Sequence, residues 1–251
     1  MIKAILVGAC GQMGRKITLC AQDGQEIKIV AGVDKYNCGM AYPLFSTFSE
    51  VNVDADVIID FSNVSLLDDL LSFATDKKLP VVIATTGYSD VQIKKIEQTS
   101  KYIPIFFTFN ISIGVNLLCS LAKKAAGILG DGFDIEIIEK HHNQKLDAPS
   151  GTAIMLANSV NGVFDDKLKY EYDRHSKRAK RTKNEIGIHS VRGGTIVGEH
   201  DVIFAGRDEV ITLSHAAHSK QVFATGALKA ARFIADKQAG LYDMNSILNI
   251  K

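Results

Sequence analysis

The feature that most constrains this chain is an apolar run, Ile2–Val7, followed at once by three closely spaced glycines, Gly8, Gly11 and Gly14. A continuous apolar run with β-branched residues suits a strand that is buried on both faces. Apolar residues then recur at helical spacing between Met13 and Ala21. A strand, a tight turn and a helix in this order predict the start of a parallel sheet with helical crossovers.

The alternation of strand and helix patterns continues to about residue 110. A helical stripe of leucines and alanines runs from Leu66 to Ala74. The short apolar runs of strand length are Ile27–Val33, Val57–Ile59, Val81–Ala84 and Ile103–Phe107. This rhythm predicts an open α/β domain.

The pattern changes in the second half of the chain. Strand signals lie close together between Ile186 and His215, and Gly193-Gly194 is typical of a turn between two of them. Strands without intervening helices predict an antiparallel sheet. A helical pattern returns at Phe223. We therefore predict two domains, residues 1–112 with 221–251, and residues 113–220.

Composition excludes several classes of protein. The chain has 251 residues with 29 basic and 28 acidic side chains, so its net charge of +1 gives no global attraction to nucleic acid or to anionic membranes. We find no apolar run near the roughly 18–20 residues that span a bilayer. The four cysteines form no CxxC pair, which argues against a secreted disulfide scaffold and a structural zinc site. We expect a soluble, cytoplasmic protein.

The glycine-rich turn is the first candidate binding site. Its glycines permit close backbone approach, and the following helix offers unpaired N–H groups to a pyrophosphate. The next predicted strand ends at Asp34, twenty residues beyond Gly14, where a carboxylate can accept from an adenosine ribose hydroxyl. The alternative is that the glycines only make a tight turn. Asp34 favours NAD by repelling a 2′-phosphate, whereas Lys35 can neutralise one, so we expect use of NADH, NADPH or both.

Two further turns follow predicted strands. They are Ala84-Thr85-Thr86-Gly87 and Thr108-Phe109-Asn110-Ile111. Ligands collect at the carboxyl ends of strands in an open parallel sheet, so these turns are predicted to line the cofactor. Ordinary turn chemistry of Thr, Gly and Asn explains the same residues equally well.

The densest cluster of reactive side chains lies between residues 139 and 153. His141, His142 and Lys145 follow a predicted strand, and Ser150-Gly151-Thr152 opens a predicted helix. The N–H groups at that helix start and the Thr152 hydroxyl form a candidate cradle for a carboxylate. Histidine has a pKa near 6.5 and is a natural proton donor, and Lys145 can clamp an anion or donate a proton. The spacing lacks the helical histidine pair of a metal site, so we expect no metal.

A basic segment, residues 173–184, contains six lysines and arginines. Three interpretations apply to it: a solvated flexible loop, a mobile flap that attracts an anionic substrate or cofactor, or a nucleic-acid-binding segment. The last ranks lowest because the cluster has no interleaved aromatic residues.

These motifs together resemble those of the dihydrodipicolinate reductase family, also called 4-hydroxy-tetrahydrodipicolinate reductases. The resemblance is strongest in His141-His142-x-x-Lys145-x-Asp147-Ala148-Pro149-Ser150-Gly151-Thr152-Ala153 and extends from the glycine turn to Gly240-Leu241-Tyr242-Asp243-Met244. It implies an N-terminal Rossmann-like domain, a smaller mixed α/β domain for substrate binding and oligomerisation, and a homotetramer. The implied reaction is NAD(P)H-dependent reduction of a cyclic imine dicarboxylate in lysine and diaminopimelate biosynthesis.

The resemblance also implies roles for single residues. His141 resembles the proton donor and Lys145 the second catalytic group, while His142, Gly151 and Thr152, with Ser150 beside them, are similar to substrate ligands. The residues similar to cofactor contacts are Gly8, Ala9, Cys10, Gly11, Gln12, Met13, Asp34, Ala84, Thr85, Thr86, Thr108, Phe109, Asn110 and Ile111. Ala84 stands where the family often has glycine, and Thr108-Phe109 where two small residues are common. Both departures concern the shape of the nicotinamide pocket.

Two other functions compete with this one. A different NAD-linked dehydrogenase, for example one acting on an amino acid, would share the glycine turn but has no need for the histidine and lysine cluster. A nicotinamide-sensing or nucleic-acid-binding module would bind NADH without turnover and bind DNA in a salt-dependent manner.

Overall fold

The computed structural model describes residues 1–248. The chain divides into two compact units: Met1–Ile113 with the segment from Lys220 onward, and Gly114–Ser219. The helices are α1 (Gln12–Asp23), α2 (Leu67–Lys77), α3 (Asp90–Thr99), α4 (Ile113–Leu129), α5 (Gly151–Asn161), α6 (Gln221–Ile234) and α7 (Met244–Leu248). The strands are β1 (Ile2–Val7), β2 (Ile27–Val33), β3 (Leu44–Phe45), β4 (Val57–Asp60), β5 (Val81–Ile83), β6 (Pro104–Phe107), β7 (Asp134–His141), β8 (Lys169–Glu171), β9 (Glu185–Arg192), β10 (Gly198–Ala205), β11 (Val210–Ala217) and β12 (Gly240–Tyr242).

The first unit is built on a parallel sheet with the strand order β12-β6-β5-β4-β1-β2-β3. Both faces are covered, which explains why the strands read as continuous apolar runs. Within β1, Ala4 and Leu6 pack in one core cluster with residues of α1 and α6. Ile5 and Val7 point the other way and pack in a second cluster with residues of α2 and α3. The predicted open α/β architecture is confirmed.

The second unit contains a mixed five-stranded sheet with the order β11-β10-β7-β9-β8. Strand β10 is antiparallel to both β7 and β11, as the strand pattern predicts. Strand β9, however, is parallel to β7 and does not pair with β10. The prediction of a turn joining neighbouring antiparallel strands at Gly193-Gly194 was therefore wrong, and residues 195–197 form no strand.

The two glycines serve a different purpose from a hairpin turn. Gly193 N–H donates to the His141 carbonyl at 2.9 Å, and the Gly194 carbonyl accepts from Asn143 N–H at 3.2 Å. Gly194 has a φ of +46°, a conformation in which glycine avoids the steric penalty of a side chain. The segment after β9 thus fixes the backbone where β7 ends.

Helix α4 corrects the expectation that no apolar segment reaches membrane-spanning length. The segment Ile113–Gly132 is 20 residues long with a mean hydropathy of 1.3, enough by length and composition alone. One side of the helix, including Val115, Leu118 and Ala122, is buried in the core of the second unit. Lys123 and Lys124 also lie near its centre. We therefore interpret α4 as a core helix that presents an apolar stripe on its outer side.

Candidate active site

Backbone atoms lie so close to the glycines of the glycine turn in the first unit that larger side chains are excluded there. Gly8 has a φ of +78°, and a Cβ there would lie 2.4 Å from the Phe61 carbonyl oxygen. A Cβ on Gly14 would lie 2.3 Å from the Gly8 carbonyl oxygen. Gly11 is the N-cap of α1 and has no side chain with which to cap it. The start of α1 is therefore a cradle that suits a phosphate group.

Asp34 follows β2 directly and reaches back to this turn. Its carboxylate accepts from Cys10 N–H at 2.9 Å and from Tyr36 N–H at 3.2 Å. Lys35 is exposed, with its ammonium 5.1 Å from the centre of the Tyr36 ring. These residues line a cleft of about 1060 Å³ at the carboxyl ends of β1, β2 and β4, a volume that suits a nucleotide.

A disulfide joins Cys10 in the glycine turn to Cys38 in the loop after β2. Their Cα atoms are 5.7 Å apart, and they lie 28 positions apart in sequence. The spacing of the cysteines did not reveal this bridge, because disulfide partners are set by the tertiary fold. The bridge ties together the two segments that carry the predicted phosphate and ribose contacts.

The turn after β5 is organised by a buried carboxylate that sequence reasoning missed. Asp60, the last residue of β4, is fully buried and accepts from the Thr85 hydroxyl at 2.7 Å. Burial raises the pKa of Asp60, although hydrogen bonds from Ser62 and Thr85 oppose this. Ala84, Thr85 and Thr86 line a second, smaller cleft that shares residues 61–63 with the first. That this turn lines the cofactor stays a prediction.

The turn after β6 is ordered by its own side chains. Thr108 donates its hydroxyl to the Asn110 carbonyl at 2.9 Å, and the Asn110 side chain accepts from Ser112 N–H at 2.9 Å. Phe109 is exposed, whereas Ile111 is buried. Residues 108–111 follow β6 at the carboxyl edge of the same sheet, but they are absent from the lining of both clefts described above.

The second unit contains a cluster around His141 at the end of β7. Strand alternation places Glu139 and His141 on the same buried face as Ile137. His142 lies just beyond the strand, as required if both histidines are to reach one pocket. We call the following residues the His141 cluster: Glu139, His141, Ser150, Arg192 and His200.

Hydrogen bonds connect the cluster to the start of α5. Ser150 is the N-cap of α5, and its hydroxyl accepts from Ala153 N–H at 3.1 Å, as the sequence predicts. The same oxygen lies 3.1 Å from Nε2 of His200. Gly151 and Thr152 form the first turn of α5, so the predicted carboxylate cradle lies beside the cluster.

Lys145 lies in the loop between β7 and α5. Its ammonium is 2.8 Å from the Asp147 carboxylate, and its backbone N–H donates to the His142 carbonyl at 3.1 Å. The Asp147 side chain is more than half exposed. A bound substrate carboxylate could therefore compete for Lys145 at modest energetic cost.

The electrostatics of the cluster favour one anion and two weakly basic imidazoles. Burial alone would raise the pKa of Glu139, but Arg192, Ser190, His141 and Ser150 N–H bring it down to about 2. Burial lowers the pKa of His141, while the hydrogen bond to Glu139 works in the opposite direction. Burial, aided by the nearby His141, lowers the pKa of His200 to about 4. His200 is therefore neutral near pH 7.

The basic segment, residues 173–184, is partly bound to its own unit. Arg174 contacts Glu136 and Glu185, each at 2.6 Å, and Arg181 contacts Glu136 and Asp134, each at 3.0 Å. These ion pairs neutralise two of its six cations, which favours a structural role over a free flap or a nucleic-acid-binding segment.

These features define a class of protein before any relative is considered. A parallel sheet with a glycine turn that suits a phosphate, a carboxylate directly after β2 and a separate unit with a histidine and lysine cluster is typical of two-domain, nicotinamide-dependent oxidoreductases. The fold is similar to that of aspartate dehydrogenase from Thermotoga maritima, with a TM-score of 0.53 at 11% identity over 95% of this chain and 98% of that one.

Sequence comparison then identifies the family. The family model described as "Dihydrodipicolinate reductase, N-terminus" matches residues 2–111. The model described as "Dihydrodipicolinate reductase, C-terminus" matches residues 114–248. The chain belongs to the dihydrodipicolinate reductase family, and it is an NAD(P)H-dependent oxidoreductase of lysine and diaminopimelate biosynthesis.

Individual relatives agree across the whole chain. A 4-hydroxy-tetrahydrodipicolinate reductase of Caldanaerobacter subterraneus subsp. tengcongensis is 52% identical over 99% of this chain and 98% of its own length. That of Clostridium tetani is also 52% identical, with the same coverage. The dipicolinate-bound reductase from Paenisporosarcina sp. TG-14 has the same fold, with a TM-score of 0.83 at 24% identity over 99% of both chains.

Proposed function

We propose that this chain reduces 4-hydroxy-tetrahydrodipicolinate to tetrahydrodipicolinate, with loss of water, and that His141 donates the proton. The observation that carries the proposal is the buried Glu139–His141 pair, 2.6 Å apart, next to the first turn of α5. It supplies an oriented proton donor beside a helix N-terminus that suits a carboxylate, and the substrate is a dicarboxylate.

The first unit is proposed to hold the dinucleotide. Gly8 to Met13 would surround the pyrophosphate, Asp34 would accept from the adenosine ribose, and Thr85 and Asn110 would lie in turns toward the nicotinamide. The fit rests on the space that the glycines keep open and on the cleft of about 1060 Å³. When bound, NADH or NADPH supplies the hydride that reduces the conjugated imine.

The second unit is proposed to hold and protonate the substrate. His142, Gly151 and Thr152 bind carboxylate oxygens, and Lys145 exchanges Asp147 for a substrate carboxylate or assists proton transfer. After hydride addition the ring carries an enamine-like electron pair, which takes a proton from Nε2 of His141. The proton that His141 loses is replaced from solvent, so the reaction consumes one proton and releases one water.

We propose that NADH and NADPH are both substrates. The negative charge of Asp34 disfavours a 2′-phosphate. However, its carboxylate accepts hydrogen bonds from two backbone N–H groups, and Lys35 beside it is exposed. A ratio of kcat/KM values within about 30-fold, roughly 2 kcal/mol, is expected for the two cofactors. A larger ratio would show that Lys35 does not compensate for Asp34.

A homotetramer formed through the second unit is also proposed. Helices α4 and α5 cover one face of its sheet. The opposite face carries the exposed Val191 and Val210 and the half-buried Ile203, and Lys140 there is paired to Glu199 and Asp201. A second copy would cover these apolar residues. Ile203→Lys is expected to reduce the mass measured by light scattering, whereas Val91→Lys, on α3, should not.

We place the enzyme in the cytoplasm, where NAD(P)H is available.

The decisive assay measures NADH oxidation with freshly generated 4-hydroxy-tetrahydrodipicolinate. Amino acids and keto acids serve as control substrates, because the competing dehydrogenase function requires turnover with one of them. Rapid oxidation of NADH with the cyclic imine, and none with the control substrates, supports the proposal. NADH binding without turnover, joined to salt-dependent DNA affinity, would favour the non-enzymatic module.

A further inference from the structure

We propose that Glu139 is a positioning residue for the reaction, because it holds the His141 imidazole and the start of α5 in a single arrangement. This inference rests on the proposed function, in which His141 donates a proton and α5 binds a carboxylate. Glu139 itself is enclosed by protein and does not contact substrate.

Several hydrogen-bond donors converge on the two carboxylate oxygens of Glu139. Nδ1 of His141 lies 2.6 Å from Oε2, and the Arg192 guanidinium binds both oxygens at 2.8 Å. Ser150 N–H donates to Oε1 at 3.0 Å. One side chain therefore links strand β7, strand β9 and the N-terminus of α5. A movement of Glu139 would displace the proton donor and the carboxylate cradle together.

The position of Glu139 on the strand makes this arrangement unusual. The residues on the same face of β7, Ile135 and Ile137, are buried and apolar, as a sheet packed under helices requires. Glu139 is also completely buried, with no exposed side-chain surface. A buried carboxylate is unfavourable unless it is paired and hydrogen-bonded. A residue that serves only the core would be apolar here, so the carboxylate points to a role in the adjacent site.

The hydrogen bond to Glu139 also determines which nitrogen of His141 is available. Nδ1 is engaged by the carboxylate, which leaves Nε2 for the substrate. A Cβ on Gly198 would lie 3.1 Å from Nε2, so the glycine on β10 leaves room beside this nitrogen. A carboxylate partner that orients a histidine and fixes its tautomer is a recurring feature of catalytic sites.

The charge on His141 depends on several opposing groups. Glu139 on β7 favours the imidazolium form, whereas burial, Lys145 in the following loop and Arg192 on β9 disfavour it. His200 on β10 contacts the His141 ring edge-on, with centroids 5.2 Å apart, and is itself neutral near pH 7. Removal of the Glu139 charge therefore leaves burial, Lys145 and Arg192, all of which oppose protonation of His141.

The test compares Glu139→Gln with Glu136→Gln. Both residues lie on β7 and bind arginine and histidine side chains, but Glu136 is on the opposite face, away from the His141 cluster. For Glu139→Gln, kcat is expected to fall about 10–100-fold. The loss of activity with rising pH should move to lower pH by roughly one unit or more. NADH affinity should not change, and Glu136→Gln should keep the wild-type pH midpoint.

An unchanged pH midpoint in folded Glu139→Gln would overturn the inference, since a merely structural role alters the amount of active enzyme and not the midpoint. A second measurement on the wild-type protein covers the case in which the variant does not fold. Nitrogen NMR shifts recorded at a pH where His141 is neutral should show its single proton on Nδ1, and a neutral imidazole with its proton on Nε2 would overturn the inference. The NMR result requires no turnover, so failure of the proposed reaction would remain distinguishable from failure of the positioning role.

Discussion

Replacement of Gly14 by alanine tests the steric basis of the cofactor turn. The added Cβ would lie 2.3 Å from the Gly8 carbonyl oxygen and 2.5 Å from that of Ala9, whereas ordinary contacts begin near 3.4 Å. Both obstacles are backbone atoms, so α1 and the turn must separate by about 1 Å. Overpacking of this kind destabilises by about 1–3 kcal/mol, offset by the roughly 1 kcal/mol that alanine gains over glycine in a helix.

We therefore expect the free energy of unfolding of Gly14→Ala to fall by up to about 2 kcal/mol. The dissociation constant for NADH should rise at least about tenfold, because the phosphate cradle depends on this spacing. Gly24→Ala, just beyond the other end of α1, is the matched control: its Cβ would lie 3.5 Å from the Cys20 carbonyl oxygen and its φ of −97° suits alanine. Chemical denaturation and fluorescence titration with NADH measure the two quantities. Wild-type NADH affinity in Gly14→Ala would refute the assignment of this turn to the cofactor.

Further predictions concern the disulfide, the buried carboxylate, cofactor choice and the proton donor. Reduction of Cys10–Cys38 should lower the free energy of unfolding by about 3–4 kcal/mol, measured by denaturation with and without reductant, and a Cys38→Ser variant should show no effect of reductant. Because the pKa of Glu139 is lowered to about 2, this residue contributes about 3 kcal/mol to the free energy of unfolding above pH 4.5, and the contribution is lost as the pH falls toward 2. The free energy of unfolding of Glu139→Gln, measured over the same pH range, should lack this loss. Asp34→Asn should raise kcat/KM for NADPH relative to NADH about tenfold, and an unchanged ratio would contradict the ribose assignment. His141→Gln should reduce kcat about 100-fold or more with little change in dipicolinate affinity, and unchanged turnover would remove its catalytic role.

Local patterns in the sequence were sufficient to predict most of the first unit. Its strands are buried on both faces and therefore read as uninterrupted apolar runs, and its helices keep one apolar side. Helix α3 went unnoticed because Ile96 is its one buried residue, although Ser89 and Gln92 form a capping box that marks its start. The parallel pairing of β9 with β7 also escaped prediction, because strand order is set by long-range packing and not by spacing along the chain.

The candidate site was predictable where its residues are adjacent in sequence. His141, Lys145 and Ser150 lie in one short segment, and the N-cap role of Ser150 follows from its position before a helical stripe. Arg192 and His200 reach the same cluster from β9 and β10, so only the fold brings them together. The signal that could have indicated Glu139 is its place in the alternation of β7, where a charged residue occupies a buried position.

Transfer of deuterium from NADH labelled at the nicotinamide C4 position tests the proposed reaction most directly. The purified protein is incubated with the labelled cofactor and freshly generated 4-hydroxy-tetrahydrodipicolinate, and the tetrahydrodipicolinate formed is analysed by mass spectrometry. We expect one deuterium on a ring carbon of the product in ordinary water. A product without the label, or oxidation of NADH that does not depend on the cyclic imine, would contradict direct hydride transfer to this substrate.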